Sequence, residues 1–384
     1  MDYIRQPLLF KMRKILRYIR LYGPLFTLVK VRGQLHKKKT YTRLPSIPSI
    51  SKDDPRHIGI IGCGTFAYCV VAYFLRRNQG RVIRGAMDRN IDRAASLFER
   101  YNLAYYTDQA ERLIEDEQID LIYIASNHAS HAEYAIRCLE RGKSVHIEKP
   151  HVVNEDQLRR LHCAMQASGG RVNLGFNRPY SPIGTKIKRA LDSQSGPAVY
   201  NWFVVGHDIA PGHWYHDEGE GGRILGNLCH WTDFIYNLMP ADDRHPILIN
   251  PTQLRKSNSD LVVNYAFENG SVAVITFSSK GHTFEGVRER FSAHRGDVLI
   301  SMSDFKHLCI ENVERKRRHH ALFRDHGHQR TIGLSYAMST TAGASFAGRD
   351  VRYMWETAEL FLATKAAVEQ GSSIVLQPYS ETRH

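Results

Sequence analysis

The spacing of apolar and polar positions changes several times along the chain, and each change predicts a different kind of element. The first pattern has the helical period and predicts a helix over residues 6–22, which Gly23-Pro24 ends. A weaker helical pattern covers residues 25–35, and residues 44–55 have the composition of a linker. The apolar face of the first helix consists of Leu8, Leu9, Met12, Ile15, Leu16 and Ile19.

Between residues 57 and 175, short apolar runs alternate with helical patterns. The run Ile119–Ala125 is almost wholly apolar, which is typical of a strand buried on both faces of a parallel sheet. Strands and helices alternating at this spacing predict a doubly wound parallel sheet, the Rossmann type of α/β domain. The predicted strands are 58–61, 82–87, 105–107, 119–125, 144–147 and 172–175, and the helices include 90–101, 129–141 and 154–169.

After residue 176 the order of elements changes, because strand-like runs follow one another with little helix between them. Consecutive strands predict a largely antiparallel sheet that is open on one face. We therefore expect a basic arm and linker over 1–54, a Rossmann domain over 55–176 and an α/β domain over 177–384. The predicted strands of the last segment are 198–205, 260–266, 271–278, 285–292, 298–302 and 306–311, and its helices are 180–191, 224–238 and 351–369.

Positive charge is concentrated at the start of the chain. The formal net charge is +13, and residues 1–48 contain twelve Lys and Arg residues but only one acid, Asp2. The remaining residues are close to neutral, so the overall charge does not indicate a nucleic-acid-binding domain. Six cysteines without a C-x-x-C spacing, and no apolar run long enough to span a bilayer, favour a cytoplasmic protein.

The basic arm allows two interpretations. Its amphipathic helix can pack on the body of the protein or on a second subunit, which would bury the apolar face. Alternatively, the helix lies peripherally on an anionic membrane, with its apolar face in the interface and its basic side chains near the phosphates. The open sheet face of the last segment separately favours a homodimer or homotetramer.

An apolar run leads into GCGTFA, residues 62–67, which has the G-x-G-x-x-A spacing of a dinucleotide-binding turn. The first glycine permits the tight turn, the second lets a pyrophosphate approach the backbone, and the alanine allows close helix packing. The helix that follows offers its first amides and the positive end of its dipole to phosphate. The predicted cofactor contacts in this turn are Gly62, Gly64, Thr65 and Phe66.

Asp88 follows the second predicted strand, where an acidic side chain can bind the ribose hydroxyls of the cofactor. Its charge repels the additional phosphate of NADP, so the sequence favours NAD. Arg89 is the next residue and can stack on adenine or accept that phosphate, which leaves NADP open.

Beyond the glycine turn, the chain contains several motifs in a fixed order. They are MDRN at 87–90, IASNHASHAEYA at 124–135, GKSVHIEKP at 142–150, GFNRPYSP at 175–182 and HWYHDEGEGGRILGNLCHWTD at 213–233. Together they resemble the glucose-fructose oxidoreductase/inositol dehydrogenase (Gfo/Idh/MocA) family over about residues 55–384, which leaves only the arm outside. The resemblance implies a Rossmann domain, a second α/β domain with an open sheet, and NAD(P)-dependent oxidation or reduction at a sugar-like carbon. The last motif looks most like members from bacterial surface-polysaccharide biosynthesis.

Lys149 lies in a sequence that matches the family's E-K-P motif, whose lysine reaches substrate and nicotinamide and whose proline is often cis. A lysine at the carboxyl end of a parallel strand also lies at the ligand crevice of such a sheet. Its amine can exchange a proton with a substrate hydroxyl, so Lys149 is the predicted acid/base. The resemblance assigns cofactor-side positions to Glu148, Ser126, Asn127 and His131.

His230 matches the family's helix histidine, which lies near the reacting carbon. Many members carry a carboxylate four residues earlier, but this chain has Gly226 there and Asn227 in the next position. An asparagine can orient a hydroxyl but does not take a proton at ordinary pH. This departure shifts acid/base work to Lys149 and His230, and Asp233 can either orient His230 or serve packing.

The remaining substrate contacts are also implied by the resemblance. Arg178 matches the arginine of the family's N-R pair, although Pro179 replaces a second basic residue that is common there. Arg223 can hold a phosphate through two hydrogen bonds, or it can be an ordinary solvated arginine. The loop that should face the substrate also contains His213 and Trp214.

Histidines and basic residues over 315–330 favour a solvated hairpin over a metal site.

The sequence thus predicts an NAD(P)-dependent oxidoreductase, without a metal, that moves a hydride between nicotinamide and a carbon of a sugar or nucleotide-linked sugar. Two other functions are compatible with a related fold. One is a cofactor-binding regulatory protein without chemistry, and the presence of Lys149 and His230 counts against it. The other is an NAD-dependent glycosidase, which product analysis with a glycoside would distinguish.

Overall fold

The computed structural model describes residues 5–51, 53–210, 212–252, 260–282, 284–340 and 350–380. The chain divides into two compact units, each built from separate parts of the sequence. The parallel-sheet unit comprises Leu25–Gly175 and His328–Met354. The large-sheet unit comprises Met1–Pro24, Phe176–Gly327 and Trp355–His384.

The parallel-sheet unit has a six-stranded sheet in the order β3-β2-β1-β4-β5-β6, and every neighbouring pair is parallel. The central strands are buried along their whole length, as their continuous apolar runs predict. The doubly wound parallel sheet is therefore confirmed. Its strands are β1 Ile58–Ile61, β2 Ile83–Met87, β3 Tyr105–Thr107, β4 Leu121–Ile124, β5 Ser144–Ile147 and β6 Val172–Leu174.

Helices follow the strands of this unit as the sequence predicts, except that the short helix Glu111–Ile114 was not predicted. The helical segment after β1 begins at Thr65 and continues into a π-helical turn, Ala67–Val71, all of whose residues are buried. Asn90 caps the helix after β2 by accepting a hydrogen bond from the amide of Asp92. The helices are α3 Ala72–Asn78, α4 Ile91–Tyr101, α5 Glu111–Ile114, α6 His128–Glu140 and α7 Glu155–Ala167.

A further helix of this unit, α10 (His328–Thr340), was not expected from the sequence. It contacts the sheet through the carbonyl of Ile332, which accepts a hydrogen bond of 2.8 Å from the Tyr123 hydroxyl. Two of its four fully buried positions are the hydroxyl residues Thr331 and Ser335. Because polar residues occupy buried positions, the apolar period that would reveal the helix is interrupted.

The large-sheet unit has a nine-stranded sheet in the order β14-β13-β12-β11-β7-β10-β9-β8-β15. The sheet is largely antiparallel, as expected, but β7 and β10 pair in parallel. The strands that the sequence did not predict are short ones toward its two edges. The strands are β7 Ala198–His207, β8 Ile247–Thr252, β9 Asp260–Phe267, β10 Val272–Gly281, β11 Arg288–Arg295, β12 Val298–Ser303, β13 His307–Asn312, β14 Arg315–His320 and β15 Ile374–Leu376.

One face of the large sheet is buried and the other is exposed. On the buried face, Trp202 packs against Phe234 and Phe291 with ring centroids 5.2 and 4.7 Å apart. Exposed and buried residues alternate along β7 and β12, so apolar side chains such as Val199 and Leu299 remain about half exposed. The expected open face is therefore present. Helices of this unit are α8 Pro182–Asp192, α9 Cys229–Leu238 and, from Trp355 onward, α11 Val351–Gln370.

The basic run before residue 330 forms β14, which pairs with β13 as an antiparallel hairpin. Five of the six residues of β14 are exposed. His307 and His320 lie opposite one another in this hairpin, with their Nδ1 atoms 2.9 Å apart. The expected solvated hairpin is therefore confirmed for 315–320. His326 and His328 lie outside it, because His326 contacts Glu289 and His328 begins a helix.

The predicted N-terminal helix is confirmed as α1 (Leu8–Tyr22), which packs on the large-sheet unit. Lys14 Nζ donates a hydrogen bond of 2.9 Å to the carbonyl of Phe284, and Arg17 Nε lies 2.6 Å from a carboxylate oxygen of Glu285. The carbonyl of Leu21 accepts a hydrogen bond of 2.7 Å from the amide of Arg324. Thus polar groups make a large part of the contact between α1 and the rest of its unit.

The second helix of the arm, α2 (Pro24–His36), packs on the parallel-sheet unit. A side chain at Gly33 would place its first carbon 2.3 Å from Cys69 Sγ, so the glycine permits this close approach. At the end of α2, His36 Nε2 lies 2.8 Å from the carbonyl of Cys63 and Nδ1 lies 2.9 Å from Ser96 Oγ. The arm is thereby attached beside the glycine turn.

Among the helices of the described ranges, none is both long enough and apolar enough to cross a bilayer.

Candidate active site

The glycine turn after β1 is shaped by a close contact with the turn after β4. Gly62 has φ +88°, and a first side-chain carbon there would lie 2.6 Å from the backbone of Ala125 and Ser126. At Gly64, the same added carbon meets no described atom within 4 Å. Gly62 thus packs tightly while the space beside Gly64 is open, which fits the approach of a pyrophosphate to the backbone.

The residues that follow the glycine turn begin a helix. Thr65 and Phe66 begin the helical segment, and the carbonyl of Gly64 accepts the first helical bond, from the amide of Tyr68 at 3.0 Å. The first amides of a helix lack carbonyl partners within it and carry its positive dipole end. These residues therefore fit a dinucleotide, and their contact with it stays a prediction.

Asp88 lies beside the glycine turn, at the carboxyl end of β2. Its Oδ2 accepts a hydrogen bond of 2.8 Å from the amide of Cys63, and its Oδ1 accepts one of 2.9 Å from the amide of Asn90. These two bonds fix the carboxylate next to the turn that would hold the pyrophosphate. The neighbouring Arg89 is exposed.

The turn after β4 is held to the E-K-P segment by His131. Its Nδ1 lies 2.8 Å from the carbonyl of Pro150, and its Nε2 lies 3.1 Å from the carbonyl of Ser126. Burial lowers the pKa of His131, although both carbonyls oppose this effect. His131 thus positions two turns. Ser126 and Asn127 also have local partners, because both lie within hydrogen-bond distance of Ser130 Oγ.

Lys149 is the second residue after β5 and is half-buried, and its peptide bond to Pro150 is cis. The preceding carboxylate, Glu148, is buried and lies against Gly175, where a first side-chain carbon would be 2.7 Å from Glu148 Cδ. Strands β1, β2, β4 and β5 are parallel neighbours, so their carboxyl ends lie at one edge of the sheet. The structure therefore brings Lys149, Asp88 and the glycine turn together at that edge.

A buried polar chain supports Glu148, and the sequence analysis did not identify it. His146 Nε2 lies 3.2 Å from Glu148 Oε1, and His146 Nδ1 lies 2.7 Å from Ser335 Oγ. Asn173 Nδ2 donates a hydrogen bond of 2.6 Å to the same Ser335 hydroxyl. A signal was present in the sequence, because His146 and Asn173 are polar residues with an apolar neighbour on each side inside their strands. Buried polar groups of this kind fix their neighbours when they are hydrogen-bonded.

The large-sheet unit contains the other predicted residues. His230 lies in the first turn of α9 and contacts the ring of Phe176, with centroids 6.2 Å apart. Asp233 is fully buried, and its Oδ1 accepts a hydrogen bond of 3.0 Å from Asn237 Nδ2. This contact supports a packing role for Asp233.

The loop before α9 is tied together by its own polar groups. Arg223 Nη1 donates a hydrogen bond of 3.1 Å to Asn227 Oδ1, and Nη2 donates to the carbonyl of His207. Burial lowers the pKa of Arg223. The ring of His213 lies 5.5 Å from that of Trp214, and both are half-buried. Arg223 is thus a half-buried arginine that shapes the loop, and its contact with substrate stays a prediction.

Arg178 is buried in an ion pair with Glu289. Its Nε lies 2.6 Å from Glu289 Oε1, which also accepts a hydrogen bond of 2.7 Å from Trp231 Nε1. His326 Nε2 lies 3.1 Å from the other oxygen of Glu289. Burial alone would raise the pKa of Glu289, but Arg178 and His326 outweigh it and hold the pKa far below its ordinary value. The guanidinium is therefore engaged by the protein itself, and its contact with substrate stays a prediction.

Comparison with known proteins agrees with this arrangement. The family model GFO_IDH_MocA, described as an oxidoreductase family with an NAD-binding Rossmann fold, matches residues 56–176. Oxidoreductase P35 of Formosa agariphila is 35% identical over 232 residues, which cover 55% of this chain and 69% of that protein. The chain belongs to the Gfo/Idh/MocA family.

Some of the other proteins that this Gfo/Idh/MocA protein resembles are sugar or polyol dehydrogenases by name. Inositol 2-dehydrogenase of Ralstonia nicotianae is 30% identical over 207 residues, which cover 53% of this chain and 60% of that enzyme. The structure of levoglucosan dehydrogenase with NADH and levoglucosan superposes with a TM-score of 0.70 at 17% identity. It covers 84% of this chain and 99% of that chain, and at this identity it shows the shared fold.

Proposed function

We propose that this Gfo/Idh/MocA protein transfers a hydride between nicotinamide and a carbon of a sugar or nucleotide-linked sugar. The observation that carries the proposal is the position of Lys149 at the carboxyl edge of the parallel sheet. The same edge holds Asp88 and the turn at Gly62 and Gly64. Ligands of open α/β sheets bind at this edge, so a proton-transferring amine and a cofactor cradle are within one unit.

Lys149 is the proposed acid/base. Its Nζ would take the hydroxyl proton as a carbinol is oxidised and return it when a carbonyl is reduced. The bound cofactor would supply the hydride acceptor or donor. Glu148, fixed by His146 and fitted against Gly175, would keep the segment that carries Lys149 in place. A group held in this way loses little freedom when the substrate arrives, which favours reaction.

A polyhydroxylated substrate is supported by the names of the relatives, inositol dehydrogenase and levoglucosan dehydrogenase. We assign His230 an assisting role at the reacting carbon, in line with the family resemblance. The half-buried loop before α9 would contact the rest of the sugar. The residues proposed to bind substrate are Arg178, His213, Trp214, Arg223, Asn227 and His230, together with Lys149.

The proposal extends to assembly and location. The open face of the large sheet exposes apolar side chains on several neighbouring strands, and exposed patches of this kind mark protein–protein contacts. We propose that a homodimer or homotetramer covers it. The free cysteines favour a reducing compartment, and we therefore propose that the protein is cytoplasmic. The resemblance to members from surface-polysaccharide biosynthesis also suggests a role in such a pathway. The exposed apolar residues are Val199, Phe203, Leu248, Val272, Leu299 and Val375.

Preference for NAD over NADP is the first prediction. The carboxylate of Asp88, fixed beside the glycine turn, should bind ribose hydroxyls and repel a phosphate in their place. We expect wild-type protein to bind NADH more tightly than NADPH in fluorescence titrations. Asp88→Ser should weaken NADH binding about tenfold or more, because it removes charge-assisted hydrogen bonds.

A matched variant removes an aspartate elsewhere in the same unit. Asp156 is exposed on α7 and pairs with Arg160, so Asp156→Ser should leave both titrations unchanged. Tighter binding of NADPH by the wild type, or equal losses in the two variants, would contradict the role of Asp88.

The proposed activity is tested by incubating the protein with NAD and a panel of polyols, hexoses and nucleotide-linked sugars. Formation of reduced nicotinamide together with an oxidised sugar is the expected result. Cofactor binding without turnover on any member of the panel would instead favour a regulatory protein. Net hydrolysis of a glycoside without net reduction of NAD would favour the glycosidase.

A further inference from the structure

The first arm helix, α1, directs its apolar face away from the protein. An amphipathic helix on a globular protein ordinarily turns its apolar face toward the core and its polar face toward water. Here five of the six aliphatic side chains of that face are exposed, whereas the sixth, Ile19, is half-buried and Leu21, on the opposite side of the helix, is buried. The exposed fractions are 72% for Leu8, 59% for Leu9, 53% for Met12, 39% for Ile15 and 59% for Leu16.

The side of α1 that contacts the large-sheet unit is polar and aromatic. Lys14 and Arg17 bind the Phe284 carbonyl and Glu285, and the ring of Phe10 lies 5.5 Å from that of Phe284. These residues fall opposite Leu8, Met12 and Leu16 on a helix of 3.6 residues per turn. Packing on the body therefore fixes the helix with its aliphatic face outward and does not bury that face.

The charges around this face indicate which surface would cover it. Arg13 and Arg20 are exposed along one edge of the aliphatic face, and Lys11 lies along the other. Between Asp2 and Asp53 the sequence contains no acidic residue. Two copies of this helix brought face to face would place like charges together, whereas an anionic surface would attract every basic group.

We propose that α1 is a peripheral membrane anchor that lies in the interface of an anionic phospholipid bilayer. Its aliphatic face enters the boundary between headgroups and acyl chains, and Lys11, Arg13 and Arg20 contact lipid phosphates. With 15 residues the helix is too short to cross the bilayer, so it lies along the surface. Such an anchor would bring a dehydrogenase to lipid-linked sugars, but the anchor does not depend on the activity proposed above.

Flotation of the full-length protein with vesicles tests the anchor. One set of vesicles contains phosphatidylcholine with phosphatidylglycerol, and the other contains phosphatidylcholine alone. We expect binding to the anionic set at low salt, little binding to the neutral set, and release from the anionic set at high salt. The triple variant Met12→Glu, Ile15→Glu, Leu16→Glu should bind about tenfold more weakly or worse, because it removes aliphatic contact and adds negative charge.

The control variant places glutamates at exposed aliphatic residues outside the arm. Val313 and Leu322 are 76% and 74% exposed, so Val313→Glu with Leu322→Glu should bind vesicles as the wild type does. Light scattering in parallel reports the oligomeric state of each protein. The anchor is refuted if the wild type does not float, if it floats equally on neutral vesicles, or if the triple variant floats normally. A triple variant that only dissociates an oligomer would assign the face to a second copy of the chain.

Discussion

Replacing Lys149 with alanine is expected to lower kcat by about 10²- to 10⁴-fold, the range that a positioned acid/base group contributes. The side chain is half-buried and follows β5, so its loss removes the amine without opening the core of the sheet. NADH affinity and thermal stability should stay close to those of the wild type. Steady-state kinetics and a fluorescence titration on the same preparations measure these quantities.

Lys188→Ala is a suitable control for the Lys149 variant. Lys188 is an exposed residue of α8 that pairs with Asp192 one turn later, so its removal should leave kcat unchanged. If Lys149→Ala retains near-normal kcat, Lys149 takes no part in proton transfer. A loss of activity accompanied by a comparable loss of NADH binding would instead assign Lys149 to the cofactor.

Replacing Glu289 with glutamine is expected to lower the free energy of unfolding by about 3–5 kcal/mol, the usual effect of breaking a buried ion pair. The variant leaves the Arg178 guanidinium buried without its carboxylate, and it weakens the hydrogen bonds from Trp231 and His326. Urea unfolding of the two proteins measures the difference.

The effect of Glu289 should depend on pH. Its pKa is lower in the folded chain than its ordinary value of 4.5, so its stabilising contribution is fully present above that value. As the pH falls below 4.5, the unfolded chain takes up a proton that the folded chain does not, and the wild type approaches the variant. Glu369→Gln, which breaks an exposed pair with Lys365, should cost about 0.5 kcal/mol or less at any of these pH values. Equal losses in both variants would contradict the special role of Glu289.

Sequence periodicity identified the parallel sheet because its strands are buried on both faces. The almost wholly apolar run at 119–125 is typical of a strand that is buried on both faces of a sheet. The glycine spacing at 62–67 located the turn beside the sheet. The E-K-P segment followed β5 directly, so its place at the sheet edge followed from topology. The local sequence pattern was therefore sufficient to predict strands that are buried along their whole length.

Contacts between residues distant in sequence could not be read from local pattern. Arg178 and Glu289 are more than a hundred positions apart, and no spacing rule relates them. Ser335, which lies in α10, is within hydrogen-bond distance of His146. Buried hydroxyl residues interrupt the apolar period of that helix, so the sequence did not predict it. The buried residues that support the site come from elements that only the fold brings together. The turns of the site are encoded by residues adjacent in sequence.

The arm is a third case. The sequence predicted a helix over 6–22 with an apolar face, and the structure has the helix at Leu8–Tyr22. The sequence did not predict which side of the helix faces the protein. Packing of the apolar face on the protein was one of two interpretations. Packing does occur, through Lys14 and Arg17, yet it leaves the apolar face exposed. Burial of this face against the body of the protein is therefore wrong, because the opposite side of the helix makes those contacts. Burial against a second subunit and contact with a membrane both stay predictions.

Isotope transfer tests the central claim, hydride exchange with a sugar carbon, most directly. A polyol or sugar that supports turnover is prepared with deuterium on the carbon that is oxidised, and the nicotinamide product is analysed by mass spectrometry. Our account predicts that the reduced cofactor carries the deuterium, and that Lys149→Ala slows its appearance without changing its destination. Deuterium found in water or retained in a hydrolysed product, with the cofactor unlabelled, would contradict the account.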